Sequence, residues 1–304
     1  MIKSPPYLEK GDLIGLVCPA GYMAEEKVAE CVRVLIEEWG YRVKTGKTIG
    51  GSSLNYFSGT DEERLADLQE MLDNPEVKAI LCARGGYGTS RIIDGIDFRY
   101  FKKHPKWLIG FSDITVLHCH IYRHYDIATL HAPMAAAFND AGYINRYVQS
   151  LKDALEGKWA RYSVDPHPYN RMGEGIGELV GGNLALLAHL IGTDSELKTK
   201  GRILFLEDVG EYLYSVDRMM WMLKRSGKLA KLSGMVVGGF TSLKDNNIPF
   251  GFTVEEIILE KVAEYGYPVA FGFPAGHISD NHALVLGRDV TLSVSDKTVE
   301  LHYV

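Results

Sequence analysis

No stretch of this chain holds the about 18 consecutive apolar residues that a membrane-spanning helix needs, so no such helix and no membrane partner is expected. Positive charge is also in short supply. Lys and Arg number 33 against 39 Asp and Glu, the net charge is −6, and the basic residues form no tract, which argues against nucleic acid as a partner. Cysteine is sparse: Cys18, Cys31, Cys82 and Cys119 form no C-x-x-C pair, and each sits in an apolar neighbourhood. Buried, reduced thiols are predicted instead of a disulfide framework. The opening "MIKSPPYLEKGDLIGLVCPAG" has no long apolar stretch behind its lysine and reads as the lead-in to a first strand rather than a signal peptide. Together these absences predict a cytoplasmic protein. What is present in quantity is core: 46% of 304 residues are hydrophobic, enough for two domains.

The first half alternates two periodicities. "DLIGLVCPAG", "YRVKTGKTI", "VKAILCARGG", "KWLIGFSD" and "IATLHAPMA" have the apolar runs of strands. Between them "AEEKVAECVRVLIEEWG" has helical spacing with a terminal glycine. "TDEERLADLQEMLDN" opens on a capping box, Thr60 with Glu63, and stops before Pro75. "ITVLHCHIYRHY" follows as a further helix. Strands alternating with helices imply a mostly parallel sheet covered on both faces, with ligands at the carboxyl ends of its strands. Residues 1–150 are therefore predicted as an α/β domain. Residues 151–178, rich in Gly, Pro and polar residues, are predicted as a connector. Residues 179–304 are predicted as an α+β domain that ends in a hairpin turning at Asp296-Lys297.

Ser112, in "KWLIGFSDIT", falls at the end of an apolar run. It is either the cap of the next helix or a nucleophile at a strand-to-helix turn. A serine nucleophile needs a base, an acid to orient that base, and donors for an oxyanion. Of ten histidines, His277 is the base candidate, because it leaves a strand through a Pro-Ala-Gly turn; the alternative is a loop histidine bonded to Asp280 or to backbone. Glu207, at the end of "RILFLE", must be partly buried and needs a partner. That partner is an imidazole or, alternatively, an arginine such as Arg218. Asp208 is the weaker orienter. "RGGYGTSR" lacks the third glycine of a dinucleotide fingerprint and the Lys-Ser/Thr of a phosphate loop. It suits an oxyanion hole better, with the N–H groups of Gly86 and Asp113 as donors. His120 and His124 stand four apart but lack the glutamate of H-E-x-x-H, so no metal is expected. Cys82 precedes a glycine turn but is less well placed than Ser112. "GFSDI" is not a full G-x-S-x-G elbow, since Ile114 replaces the second glycine.

The set "RGGYG", "IGFSDIT", "VGGNLALLAHLIGT", "LFLEDVGE" and "FGFPAGH", in this order, resembles the LD-carboxypeptidase family. These serine peptidases include the muramoyltetrapeptide carboxypeptidases and the microcin C self-immunity peptidases. The resemblance covers nearly the whole chain. It implies a flavodoxin-like N-terminal domain carrying Ser112, and a C-terminal domain with a barrel-like swivelling sheet that donates Glu207 and His277. It implies Gly86 and Asp113 as the oxyanion donors, no cofactor, a homodimer, and removal of a terminal D-alanine from cytoplasmic murein tetrapeptides. Arg84, Gly85, Tyr87 and Asn183, inside the same motifs, are candidate substrate contacts. One departure is Val285, which stands where the family usually has proline. Two other functions stay open at this point. One is an immunity-type hydrolase of peptidyl or aminoacyl nucleotides, with Trp159 or Tyr169 stacking on the base; the other is a non-catalytic anion-binding protein.

Overall fold

The computed structural model describes residues 2–51, 56–139, 145–158 and 160–304. It divides into two compact units, Met1–Lys158 with His282–Val285, and Trp159–Asn281 with Leu286–Val304. The first unit is the expected α/β layer structure. Strands β1 (Leu13–Val17), β2 (Arg42–Thr45), β3 (Val77–Cys82), β4 (Trp107–Gly110) and β5 (Thr129–His131) pair in parallel. All five residues of β1 and all four of β4 are buried, as continuous apolar runs require in a sheet covered on both faces. Thr60 does cap the helix Asp61–Asp73, in a reciprocal box with Glu63.

The second unit contributes β6 (Arg161–Val164), β7 (Gly173–Asn183), β8 (Ile203–Val209), β9 (Gly234–Thr241) and β10 (Val269–Ala270). After β11 (Leu284–Leu286) come β12 (Asp289–Val294) and β13 (Val299–Tyr303), the antiparallel hairpin expected around Asp296. The two sheets have the orders β11-β5-β4-β3-β1-β2 and β10-β9-β8-β7-β12-β13-β6. The barrel-like sheet anticipated for the C-terminal half is thus a seven-stranded mixed sheet, parallel from β7 to β10 and antiparallel from β7 to β6.

Two details differ from the domain outline drawn from sequence. Residues 151–178 hold the end of the helix Arg146–Leu155, all of β6 and the start of β7, so about a third of the Gly- and Pro-rich stretch is sheet. Its exposed, alternating residues hid that pattern. β11, with Val285 at its centre, belongs to the first sheet, where it lies beside β5.

In the first sheet β2 lies on one side of β1 and β3 to β5 lie on the other. The chain order therefore reverses between β1 and β3, the position at which ligands gather in open α/β sheets. The glycine turn after β3 and Ser112 after β4 stand at this end of the sheet.

Candidate active site

Ser112 is the first residue of a single 3-10 turn, Ser112–Ile114, that runs into the helix Thr115–Tyr125. Its φ is 63°, a left-handed backbone that a residue with a Cβ adopts only under constraint. The capping alternative fails, because Phe111 and Ile114 occupy the cap positions and neither turn has a side-chain cap bond. The constraint comes from two glycines. A Cβ on Gly110, whose φ is 153°, would lie 2.9 Å from Ile114 and 3.2 Å from Cys82. A Cβ on Gly85 would lie 2.9 Å from the Ser112 Cβ and 3.2 Å from its Oγ. Only glycine lets the turn after β3 close on the serine. Beneath it, buried His118 donates from Nε2 to the Gly110 carbonyl at 2.9 Å. Burial pushes that imidazole down to about 4, so it stays neutral as a brace.

The glycine turn is pinned along its length. Gly21 N–H donates to the Gly85 carbonyl at 3.0 Å. At the far end, the buried Asp113 carboxylate accepts from Thr89 N–H at 2.8 Å and from the Thr89 hydroxyl at 2.5 Å. Buried Arg64 donates to the carbonyls of Pro19 (2.6 Å) and Gly88 (3.0 Å) and pairs with Asp61. Gly86, with φ 96°, is left exposed beneath the Tyr56 hydroxyl, which lies 2.6 Å from where its Cβ would be. Tyr87 is exposed beside Phe57, at 5.8 Å between ring centroids. Arg84 is exposed and donates to the Tyr22 carbonyl at 2.5 Å. Cys82 is fully buried and its thiol is pushed up by burial, which removes it as a nucleophile. All four cysteines are free and buried.

In the second unit the glutamate and histidine singled out from sequence meet. The fully buried Glu207 carboxylate accepts through Oε2 from the His277 backbone N–H at 3.1 Å and from the ring Nδ1–H at 2.5 Å. This bond fixes the tautomer and leaves Nε2 as the basic nitrogen. Arg218, the alternative partner for Glu207, instead reaches Ser215 at 3.5 Å and lies over the Tyr214 ring. The loop that brings His277 in depends on small residues. A Cβ on Gly276 would come within 2.6 Å of the Glu207 side chain, and one on Gly238 within 2.3 Å of the Ala275 carbonyl. The loop is then tied by Gly276 N–H to Asn281 Oδ1 (2.7 Å), Gly239 N–H to the Ala275 carbonyl (2.9 Å) and the Thr241 hydroxyl to the His277 carbonyl (2.7 Å).

Asn183 stands level with Glu207 on the neighbouring strand. It is buried and caps the helix Leu184–His189, accepting from Leu186 N–H at 3.2 Å and donating to Asp208 at 2.8 Å. Asp208 also accepts from Ala185 and Val209 N–H groups, at 2.9 and 2.8 Å. Loss of hydration nevertheless pushes its carboxyl up to about 6 from an ordinary 3.8. The folded chain thus binds this proton more tightly than the unfolded chain. The resulting stability is complete below about pH 4 and is lost as pH rises through 6, by about 3 kcal/mol. Asp208→Asn removes this titration. Urea unfolding at pH 4 and pH 7 should show the wild type losing about 3 kcal/mol relative to the variant between the two; an unchanged difference would refute the assignment.

The His120 and His124 rings lie 4.5 Å apart at a tilt, and His120 stacks on Phe98, as part of an aromatic cluster. Among the described residues no three His, Cys, Asp or Glu side chains gather as a metal site, and no helix is long and apolar enough to cross a membrane. Tyr169 packs near His167 and Phe271. Trp159 lies outside the described residues. Sequence reasoning missed the supporting groups Arg64, His118, Thr241 and Asn281. Their only signal was proximity to glycine-rich loops that need external anchors.

A strained serine beside a glycine turn at strand ends, and a buried acid–histidine pair in a second unit, are the parts of a two-domain hydrolase. Residues 14–132 match the model of the LD-carboxypeptidase N-terminal domain, and residues 176–292 that of the LD-carboxypeptidase C-terminal domain. The chain belongs to the LD-carboxypeptidase family and is a peptidase. It is 37% identical over 297 residues to the "Probable murein peptide carboxypeptidase" of Bacillus subtilis, covering 97% of this chain and 92% of that one. It is 32% identical over 288 residues to the murein tetrapeptide carboxypeptidase of Pseudomonas aeruginosa, covering 92% of each. The crystal structure of muramoyltetrapeptide carboxypeptidase from Oxalobacter formigenes matches with a TM-score of 0.85 at 28% identity, over 96% of this chain and 98% of that one. The microcin C7 self-immunity protein MccF shares the fold, with a TM-score of 0.81 at 23% identity over 99% of this chain and 98% of that one. Family membership sets aside the non-catalytic anion-binding alternative.

Proposed function

We propose that this enzyme is a serine carboxypeptidase that removes the terminal D-alanine from murein tetrapeptides in the cytoplasm, as part of peptidoglycan recycling, and that it works as a homodimer without metal or cofactor. The observation that carries the mechanism is the Glu207–His277 pair, whose Nδ1–H···carboxylate bond leaves Nε2 basic. The names of the murein-active relatives support the substrate.

In this mechanism His277 Nε2 takes the Ser112 hydroxyl proton as Oγ bonds to the scissile carbonyl carbon. The carbonyl electron pair moves onto oxygen, where the N–H groups of Gly86 and Asp113 receive it; each such donor contributes about 3 kcal/mol to the transition state. Glu207 stabilises the imidazolium and holds its orientation. The tetrahedral species collapses, the C–N bond breaks, and the imidazolium proton passes to the departing D-alanine amine. Water then repeats the sequence on the acyl-enzyme, freeing the tripeptide and Ser112.

Mass spectrometry after incubation with a murein tetrapeptide and, separately, an aminoacyl-adenylate analogue tests the substrate. Loss of one alanine residue from the first with the second intact is expected. Cleavage of the second alone would transfer the enzyme to the nucleotide-hydrolysing reading.

A further inference from the structure

We propose that Arg84 anchors the substrate's terminal carboxylate, and that this contact confines cleavage to the last residue of the peptide. The inference rests on Ser112 being the nucleophile and deepens that reading by assigning the leaving-group side of the site.

Arg84 precedes Gly85, the residue that packs on Ser112. Its side chain runs away from the serine, towards the loop after β1. One guanidinium N–H donates to the Tyr22 carbonyl at 2.5 Å, and Nε lies 3.5 Å from where a Gly21 Cβ would be. The guanidinium therefore links the loops after β3 and β1, at the point where the strand order reverses. Between it and the serine lie Gly21, Gly85 and Gly86, which carry no side chains, with the Tyr56 hydroxyl over Gly86.

The other two arginines at this turn are already engaged. Arg64 is fully buried on two carbonyls and Asp61. Arg91 is bidentate on Asp61, at 2.7 to 3.0 Å. Arg84 gives one N–H to Tyr22, and the rest of its fork meets no acceptor among the described residues. A planar fork with spare donors is the group best matched to a carboxylate.

The test compares kcat/KM for a tetrapeptide ending in free D-alanine with the same peptide ending in D-alanine amide. The wild type should prefer the acid by about 10- to 100-fold, the range for a hydrogen-bonded charge. Arg84→Met should bring the ratio close to one, Arg84→Lys should restore part of it, and Arg91→Met should keep the wild-type ratio. Because each ratio is taken within one protein, a partly unfolded variant does not distort it. An Arg84→Met enzyme that keeps the preference, or a wild type that has none, overturns the proposal. Calorimetry of acid and amide binding to Ser112→Ala, with and without Arg84→Met, separates the two readings. If the wild type releases no D-alanine, the hydrolase reading fails, while an acid preference that disappears with Arg84 still upholds the anchor.

Discussion

Ser112→Ala is expected to lower kcat for D-alanine release by about 10⁴- to 10⁶-fold while the fold persists, the scale seen when a serine nucleophile is removed from an acyl-transfer site. The side chain is half-buried and caps neither adjoining helical turn, so its loss opens little space and breaks no cap. The backbone gives a second, independent readout. At φ 63° the serine holds a conformation that costs a residue with a Cβ on the order of 1 to 3 kcal/mol. Ser112→Gly relieves that strain and gives part of the gain back as unfolded-state entropy. It should therefore be as inactive as Ser112→Ala yet more stable than it by about 1 kcal/mol in urea unfolding. A serine that served only as scaffold would give the same stability order with D-alanine release largely intact. Release by Ser112→Ala within tenfold of the wild type would end the nucleophile assignment.

The parts of the site that were legible in sequence are those where chemistry conflicts with surroundings. A glutamate closing "RILFL" cannot be solvated there, so a partner was required, and His277 supplies it. The glycines of "RGGYG" and "GFPAGH" could be flagged because backbone must pass close to something. What they pass, Ser112 in one case and Glu207 in the other, needed coordinates. The bracing groups stayed invisible for a physical reason. Arg64 comes from a helix surface that looks solvated in sequence, and it is buried only because the glycine turn and the Pro19 loop offer carbonyls to it. His118 looked like one of several helical histidines until the Gly110 carbonyl gave its Nε2 a partner. The sheet content of residues 151–178 was hidden because only Tyr162 of β6 and none of the outer half of β7 is buried, so no apolar run marks them. β11 is only three residues long and joins the first sheet from a point far along the chain, a pairing that no local pattern encodes.

Glu207→Gln is expected to lower kcat by about 10³- to 10⁴-fold with a small change in KM, and the hydrogen bonds already described say why. Oε2 accepts two N–H groups, of which the His277 backbone N–H cannot be reversed. The glutamine must therefore turn its oxygen to that position, which places its NH₂ where the Glu207 Oε1 is buried without a hydrogen-bond partner among the described residues. An unsatisfied buried donor costs about 1 to 3 kcal/mol, so the variant should also be less stable. The imidazole keeps a neutral acceptor but loses the negative charge that stabilises its protonated form, so the step in which it takes the serine proton slows. If the amide instead turns over, Nδ1 faces a donor and the ring must switch tautomer. Nε2 then carries the hydrogen and cannot act as a base, the circumstance in which an acid-to-amide change costs about 10⁴ in kcat. Proton NMR distinguishes the two, because the downfield Nδ1–H signal of His277 persists in the first arrangement and vanishes in the second. Glu207→Asp, which keeps the charge but withdraws it by one methylene, should lie between, at about 10²-fold. A Glu207→Gln enzyme within tenfold of the wild type would show that the pair merely fastens the loop after β10 and takes no part in proton transfer.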